Sequence, residues 1–233
     1  DDHQVNNRRL IKALHAAAQN AGARFFPHTE VHQILSESRA GQRYVTGVAH
    51  ARGSAVAPIV VVAAGCWTGK LLFDCSLTSI LVSPVRGQMI ALEMPATTIN
   101  HVIYSRRGYL IPRLGGYMIA GSTSENAGYD KRVTAQGMAA IIHQAVEIAP
   151  QLQEQAIVET WAGLRPLGLD QWPVIGADPK VNGLLYATAH YRNGILLTPA
   201  TAKAVSELVL TGNSSINLSP FGPGRFGSER PSE

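Results

Sequence analysis

The residues best suited to chemistry form one stretch, His190-Tyr191-Arg192-Asn193-Gly194-Ile195-Leu196-Leu197-Thr198-Pro199. A strand ends here, Asn193-Gly194 imposes a sharp turn, and Thr198-Pro199 is expected to open a helix with proline at its favoured first position. Such a loop exposes several main-chain N–H groups beside the positive end of a helix. It suits a group that is, or becomes, negative. The same residues also serve as an ordinary turn before an ordinary helix. Two arginines stand out. Arg192 lies inside the loop, and Arg165 closes the apolar stretch Glu159-Thr160-Trp161-Ala162-Gly163-Leu164-Arg165-Pro166. A guanidinium fork matches a carboxylate bidentately, as pockets for amino or keto acids require, although a salt bridge is the commoner fate of an arginine. Tyr109, in Gly108-Tyr109-Leu110-Ile111-Pro112-Arg113, either adds a hydroxyl to that carboxylate or is a plain sheet residue.

Other signatures are absent. HExxH, P-loop and GxSxG patterns do not occur, and Gly222-Pro223-Gly224 lies in a polar tail without strand or helix flanks. The eight histidines show no metal-ligand spacing; His15, His28, His32 and His143 read as helix-surface or loop residues. No metal site and no catalytic nucleophile or acid–base group is assigned. Cys66 and Cys75 lack CxxC spacing, which argues against zinc or a disulfide framework and for a reducing, cytoplasmic setting. The longest apolar run, Ile59 to Ala64, is too short to span a bilayer, and Asp1-Asp2-His3-Gln4 is polar with no signal-peptide core. Twenty Lys and Arg against sixteen Asp and Glu give a net charge of +4 without a basic block, so nucleic acid is not an expected partner.

The elements that must position these residues follow from periodicity. Asn6 to Ala21 is expected to be helical, with Leu10, Ile11, Leu14, Ala17 and Ala21 on one face and Gly22 as its stop. Arg24 to Phe26 reads as a short strand. Val31 to Leu35 and Tyr44 to Ala49 flank a hairpin turn at Ser38 to Gly41. Ile59 to Ala64 reads as a strand covered on both faces, and a short helix follows through Trp67 and Leu71. Val82 to Leu92, Val102 to Ser105, Tyr109 to Pro112 and Tyr117 to Gly121 suggest an antiparallel sheet. Thr134 caps a helix to Ala149 with Met138, Ile141, Ile142, Ala145 and Val146 as its buried stripe, and Pro150 stops it. Strands return at Ala156 to Thr160 and Leu184 to Thr188, and the last helix runs to Leu210. From Asn213 the Ser/Gly/Pro-rich tail is expected to be extended or mobile.

Taken together these segments resemble the glycine oxidase branch of the D-amino-acid-oxidase-like FAD family. The matching motifs are Val60-Val61-Val62-Ala63-Ala64-Gly65-Cys66-Trp67, Pro84-Val85-Arg86-Gly87-Gln88, Tyr109 to Arg113, Gly121-Ser122-Thr123-Ser124-Glu125, Trp161 to Pro166, His190 to Leu196, and Pro220-Phe221 to Arg225-Phe226. They run in family order over nearly the whole chain, and Trp161–Pro166 and His190–Leu196 are the most specific. The resemblance implies an α/β fold with α+β character: a partial FAD-binding Rossmann-like domain with an inserted antiparallel-sheet substrate domain. Its expected segments are 1–80 and 161–212 for the FAD domain, 81–160 for the substrate sheet and helix, and 213–233 for a tail. It implies FAD as cofactor and a small amino acid as substrate. Arg165, Arg192 and Tyr109 match the substrate-binding positions. His190, Tyr191, Arg192, Asn193, Gly194, Ile195 and Leu196 match the loop along the isoalloxazine, and the main chain of Val31 matches the position that meets the adenine.

The implied reaction is oxidation of glycine or a similar amine by hydride transfer to flavin, with oxygen as re-oxidant, serving thiamine thiazole synthesis. D-Amino-acid dehydrogenase and sarcosine oxidase are alternatives within the class. Two departures matter. The family's opening strand, GxGxxG and helix have no counterpart here, and Ala189 stands where glycine is usual. The first raises the alternative of a non-catalytic piece, or of a partner chain that supplies the pyrophosphate site, and unpaired sheet edges would predict a homo-oligomer.

Overall fold

The computed structural model describes residues 3–74, 80–94 and 99–226. Asp1, Asp2, Cys75 and the last seven tail residues named or spanned above lie outside the described residues. The fold mixes helix and sheet. In chain order come α1 (Asn7–Asn20), β1 (Val31–Arg39), β2 (Gln42–His50), β3 (Gly53–Val56), β4 (Val60–Val62), α2 (Thr68–Asp74) and β5 (Val82–Glu93). Then follow β6 (Ile103–Tyr104), β7 (Tyr109–Arg113), β8 (Tyr117–Gly121), α3 (Ala135–Ile148), β9 (Ile157–Gly168), β10 (Val174–Ala177), β11 (Val181–Asn182), β12 (Leu184–Thr188) and α4 (Gly194–Thr211). Two compact units result: Asp1–Ala18 with Pro84–Leu164, and Gln19–Ser83 with Arg165–Glu233.

The first unit is built on a sheet of order β6-β7-β8-β5-β9, antiparallel from β6 through β5. The expected antiparallel block is present. Thr134 caps α3, its hydroxyl accepting from the Gly137 N–H at 3.1 Å. Ile141 and Ala145 pack on Ile90, Leu92, Leu110 and Met118 of the sheet, and Met138 and Ile142 flank them. Burial of that stripe, together with the cap, stabilises the helix more than residue propensity would. The motifs Pro84–Gln88 and Gly121–Glu125 meet in one polar network. Arg86 donates from Nη2 to Glu125 at 2.5 Å, and Gln88 donates to Glu125 at 2.7 Å and to the Thr134 hydroxyl at 3.0 Å. Gln88 Oε1 in turn accepts the Thr134 N–H at 2.8 Å. Burial raises the Glu125 carboxyl, but hydrogen bonds from Thr123, Arg86 and Gln88 outweigh it and leave the group below its usual range. Helix α1 forms as expected and is tied to this unit by Arg8 on Glu159 (2.7 and 2.9 Å) and Gln4 on the Pro112 carbonyl (2.8 Å). Its apolar face is not buried, however: Ile11 and Leu14 are exposed, and no α1 residue counts as buried among the described residues.

The second unit holds two small sheets. The β1–β2 hairpin turns at Ala40-Gly41, where both φ angles are positive (48° and 81°), as a tight hairpin turn requires. Strand β3 pairs antiparallel and β11 parallel with β2. The other sheet has the order β10-β12-β4, with β12 parallel to β4 and antiparallel to β10. Val62, Leu72, Ile80, Val174, Leu184 and Tyr186 form the core around it.

Four expectations are corrected here. Arg24–Phe26 is not a strand; Phe25 and Phe26 are exposed, and Pro27 removes the next ladder donor. Strand β4 is shorter than expected and not covered on both faces, since Val62 is buried on one face while Val61 stays exposed on the other. Helix α4 begins at Gly194, not at Thr198, and carries Pro199 in its second turn. The missing N–H leaves only the carbonyl of exposed Ile195 without its helical donor. The tail is ordered through Phe226 as two short 3-10 turns. Arg225 holds it, donating to Asp170 (2.7 and 3.2 Å) and to the carbonyls of Phe221, Trp172 and Pro173.

Candidate functional site

In the second unit the carboxyl ends of the parallel strands β4 and β12 open into a groove of about 470 Å³. Val61, Ala63 and Gly65 line it from the β4 end, and Ala187, Thr188 and His190 from the β12 end. Helix α4 closes it with Gly194, Thr198, Thr201, Ala202 and Val205, a stripe at helical spacing. Ligands of open α/β sheets bind in this place, outside the carboxyl ends of the strands. No Asp or Glu is among the lining residues, and five of them are Gly or Ala, which leaves main chain within reach of a ligand.

The local geometry follows from the turn. Ala189 and Tyr191 both adopt left-handed φ angles (58° and 47°), which swing the chain off β12 into α4. The Tyr191 N–H donates to the Pro166 carbonyl at 3.0 Å, the Asn193 N–H to the His190 carbonyl at 2.9 Å, and the Leu197 N–H to the Asn193 carbonyl at 2.9 Å. Leu167 of β9 bridges His190 in antiparallel sense. Gly194, Ile195 and Leu196 therefore open the helix with N–H groups that no preceding helical carbonyl can accept, at its positive end. The His190 ring bonds Thr201 Oγ1 at 2.9 Å, and burial pushes the imidazole below its usual pKa, keeping it neutral near pH 7.

The two arginines flank the same backbone tie, since Arg165 precedes Pro166 and Arg192 follows Tyr191. Arg165 is half-buried in the last third of β9; Arg192 is exposed and makes no ion pair among the described residues. Tyr109 belongs to the first unit. There it is half-buried, paired with Gly121, its hydroxyl 3.1 Å from the Met89 sulfur. Val31 lies in a second pocket of about 560 Å³ with Glu30, His32, Ala64, Trp67, Lys70 and Leu71. Of the expected loop, His190 and Gly194 line the groove, while Ile195 and Leu196 are exposed beside it. Sequence reasoning gave Thr188 and Thr201 no role, and carried Ala63 and Pro166 only as members of family motifs. The threonine pair at 198 and 201, one helical turn apart, was the available signal. His15, His28, His32 and His143 are exposed, and no metal-holding cluster exists among the described residues.

Comparison with known proteins decides the family. The pattern of the family described as FAD dependent oxidoreductase matches residues 1–208. The chain belongs to that family. Glycine oxidase from Geobacillus kaustophilus is 35% identical over 221 residues, which cover 94% of this chain and 57% of that protein. The bifunctional protein ThiO/ThiG of Synechocystis is 39% identical over 231 residues, 97% of this chain and 34% of that one. The crystal structure of glycine oxidase from Geobacillus kaustophilus superposes with a TM-score of 0.83 at 33% identity, covering 92% of this chain and 56% of that chain. The chain thus spans little more than half of its glycine oxidase relative, and its fold is that of these flavoenzymes.

Proposed function

We propose that the chain carries the flavin-ring and substrate-facing parts of an FAD-dependent oxidase acting on glycine or a similarly small amino acid or amine. One observation carries this reading: the groove at the carboxyl ends of β4 and β12, lined by small residues and hydroxyls and headed by the first amides of α4, which have no helical carbonyl before them. A flavin ring that gains negative charge on reduction fits such a lining, whereas a groove bearing carboxylates would oppose it. His190 to Leu196 then run along the isoalloxazine, and the main chain of Val31 meets the adenine in the second pocket. The first unit contributes the substrate side, and the second contributes the flavin side.

When bound, FAD supplies the acceptor for the two electrons and the hydrogen leaving the substrate Cα. The residues of the chain supply aim. Arg165 and Arg192, held beside one backbone tie, fix the substrate carboxylate; Tyr109 is the substrate-binding residue that the first unit carries. The amine reacts uncharged, and the imine product is hydrolysed or passed on, as in supply of thiamine thiazole synthesis. Dioxygen is the re-oxidant. The likeness to glycine oxidases supports this substrate class. The test is Arg165→Ala. Losing one side of a charged bidentate pair costs roughly 2–5 kcal/mol, so glycine turnover should fall about 30-fold or more with flavin still bound. Normal glycine turnover in the variant would contradict the assignment.

A further inference from the structure

The 190–193 turn is held in a conformation that its own residues resist. Ala189 and Tyr191 are not glycines, yet both sit at left-handed φ (58° and 47°), each at a cost of about 1 kcal/mol. Surrounding contacts must hold the turn. Three are main-chain bonds: Tyr191 to Pro166, Asn193 to His190, and Leu197 to Asn193. The fourth is different. Thr198 bonds its hydroxyl back to the Gly194 carbonyl at 2.7 Å, the usual habit of a helical threonine, but the Thr201 hydroxyl bonds the His190 ring at 2.9 Å across eleven residues. Both groups line the groove.

We propose that the His190–Thr201 bond is a positioning device, which clamps the turn to the second turn of α4 and so sets where the Gly194–Leu196 amides point. Neither side chain is a catalytic residue in this scheme; each acts through the main chain it fixes. That the amides face a flavin rests on the function proposed above, whereas the clamp itself does not. A clamp of this kind gives the one histidine of the groove a partner on the facing helix. The bond can run either way, since the ring nitrogen accepts from the hydroxyl or donates to it according to the tautomer.

The test compares Thr201→Val, which keeps the shape and loses the hydroxyl, with Thr201→Ser, which keeps the hydroxyl. Amide hydrogen exchange on the flavin-free chain reads the clamp directly. The proposal expects exchange at Tyr191, Asn193 and Leu197 to quicken about fivefold or more in the valine variant, the effect of roughly one hydrogen bond, and to return to the parent rate in the serine variant. Melting temperatures of all three proteins check that the fold persists. Parent-like exchange in Thr201→Val, or equally fast exchange in Thr201→Ser, would overturn the clamp. Titration of FAD fluorescence with the same proteins then reads the amides. Weaker binding and a shifted flavin spectrum for valine alone extend the clamp to the cofactor. A parent chain that binds no FAD would instead sink the functional reading and leave the exchange result to decide the clamp.

Discussion

Replacing Gly137 by alanine is a test in which two physical effects have opposite signs. Gly137 lies in the first turn of α3, where alanine is worth about 1 kcal/mol over glycine by helix propensity. A Cβ at this position would stand 2.3 Å from Gln88 Nε2, 2.6 Å from Cδ and 2.7 Å from Oε1. The Gln88 side chain is the end of a flexible residue, but it is fully buried and held by Glu125 and by both the hydroxyl and the N–H of Thr134. Moving it breaks two or three buried hydrogen bonds at about 1 kcal/mol each, with a further penalty for any group left unpaired. The sum is a net loss of roughly 2 kcal/mol, or a fall in Tm of about 4–8 °C for a chain of this size. Differential scanning calorimetry of parent and variant reads it. A variant that melts higher than the parent, as propensity alone requires, would refute the claim that Gln88 occupies this space.

Two further outcomes are expected. Arg225→Ala removes the group that collects Asp170 and four tail or loop carbonyls, so limited proteolysis should cut between 213 and 226 at least tenfold faster; an unchanged cleavage rate would mean the tail is held by its own turns. Acid should destabilise in two stages. The His190 pKa is lowered by burial, so the folded state disfavours the proton, and stability begins to fall as pH drops below the unfolded value of 6.5. The carboxyls follow: Asp130, held down to about 2 by its bonds from Arg132, contributes stability above 3.8 that is lost between there and about 2. Melting temperature against pH checks both, and a rise in stability between pH 6.5 and 5 in the parent would contradict the first.

Much of the candidate site was legible because its signals are local. Asn193-Gly194 marked the turn, and the apolar run before Gly65 marked the strand beside which the groove opens. The start of α4 was not legible, because Thr198-Pro199 is a strong opening signal on its own and nothing local reveals that a proline in the second turn costs only one exposed carbonyl. The unusual Ala189 was noticed as a departure; its left-handed φ gives the reason that glycine suits the position. The Arg86–Gln88–Glu125–Thr134 network was legible only as separate motifs, since its bonded pairs are up to 46 residues apart and one sequence carries no pairing information. Strand β10 was not legible, because four residues are too few for a periodicity to show, although three of them are buried at the sheet edge. The tail was misjudged from composition: one arginine with six bonds orders what Ser, Gly and Pro alone would leave loose.

If the groove and the Val31 pocket of the second unit hold FAD, an equilibrium titration of FAD fluorescence with the purified chain reads the binding. Circular dichroism on the same sample confirms the fold. Saturable quenching with a protein-perturbed flavin absorption spectrum is expected, weakened when the turn is loosened. A folded chain that leaves the FAD signal unchanged at every concentration would contradict it.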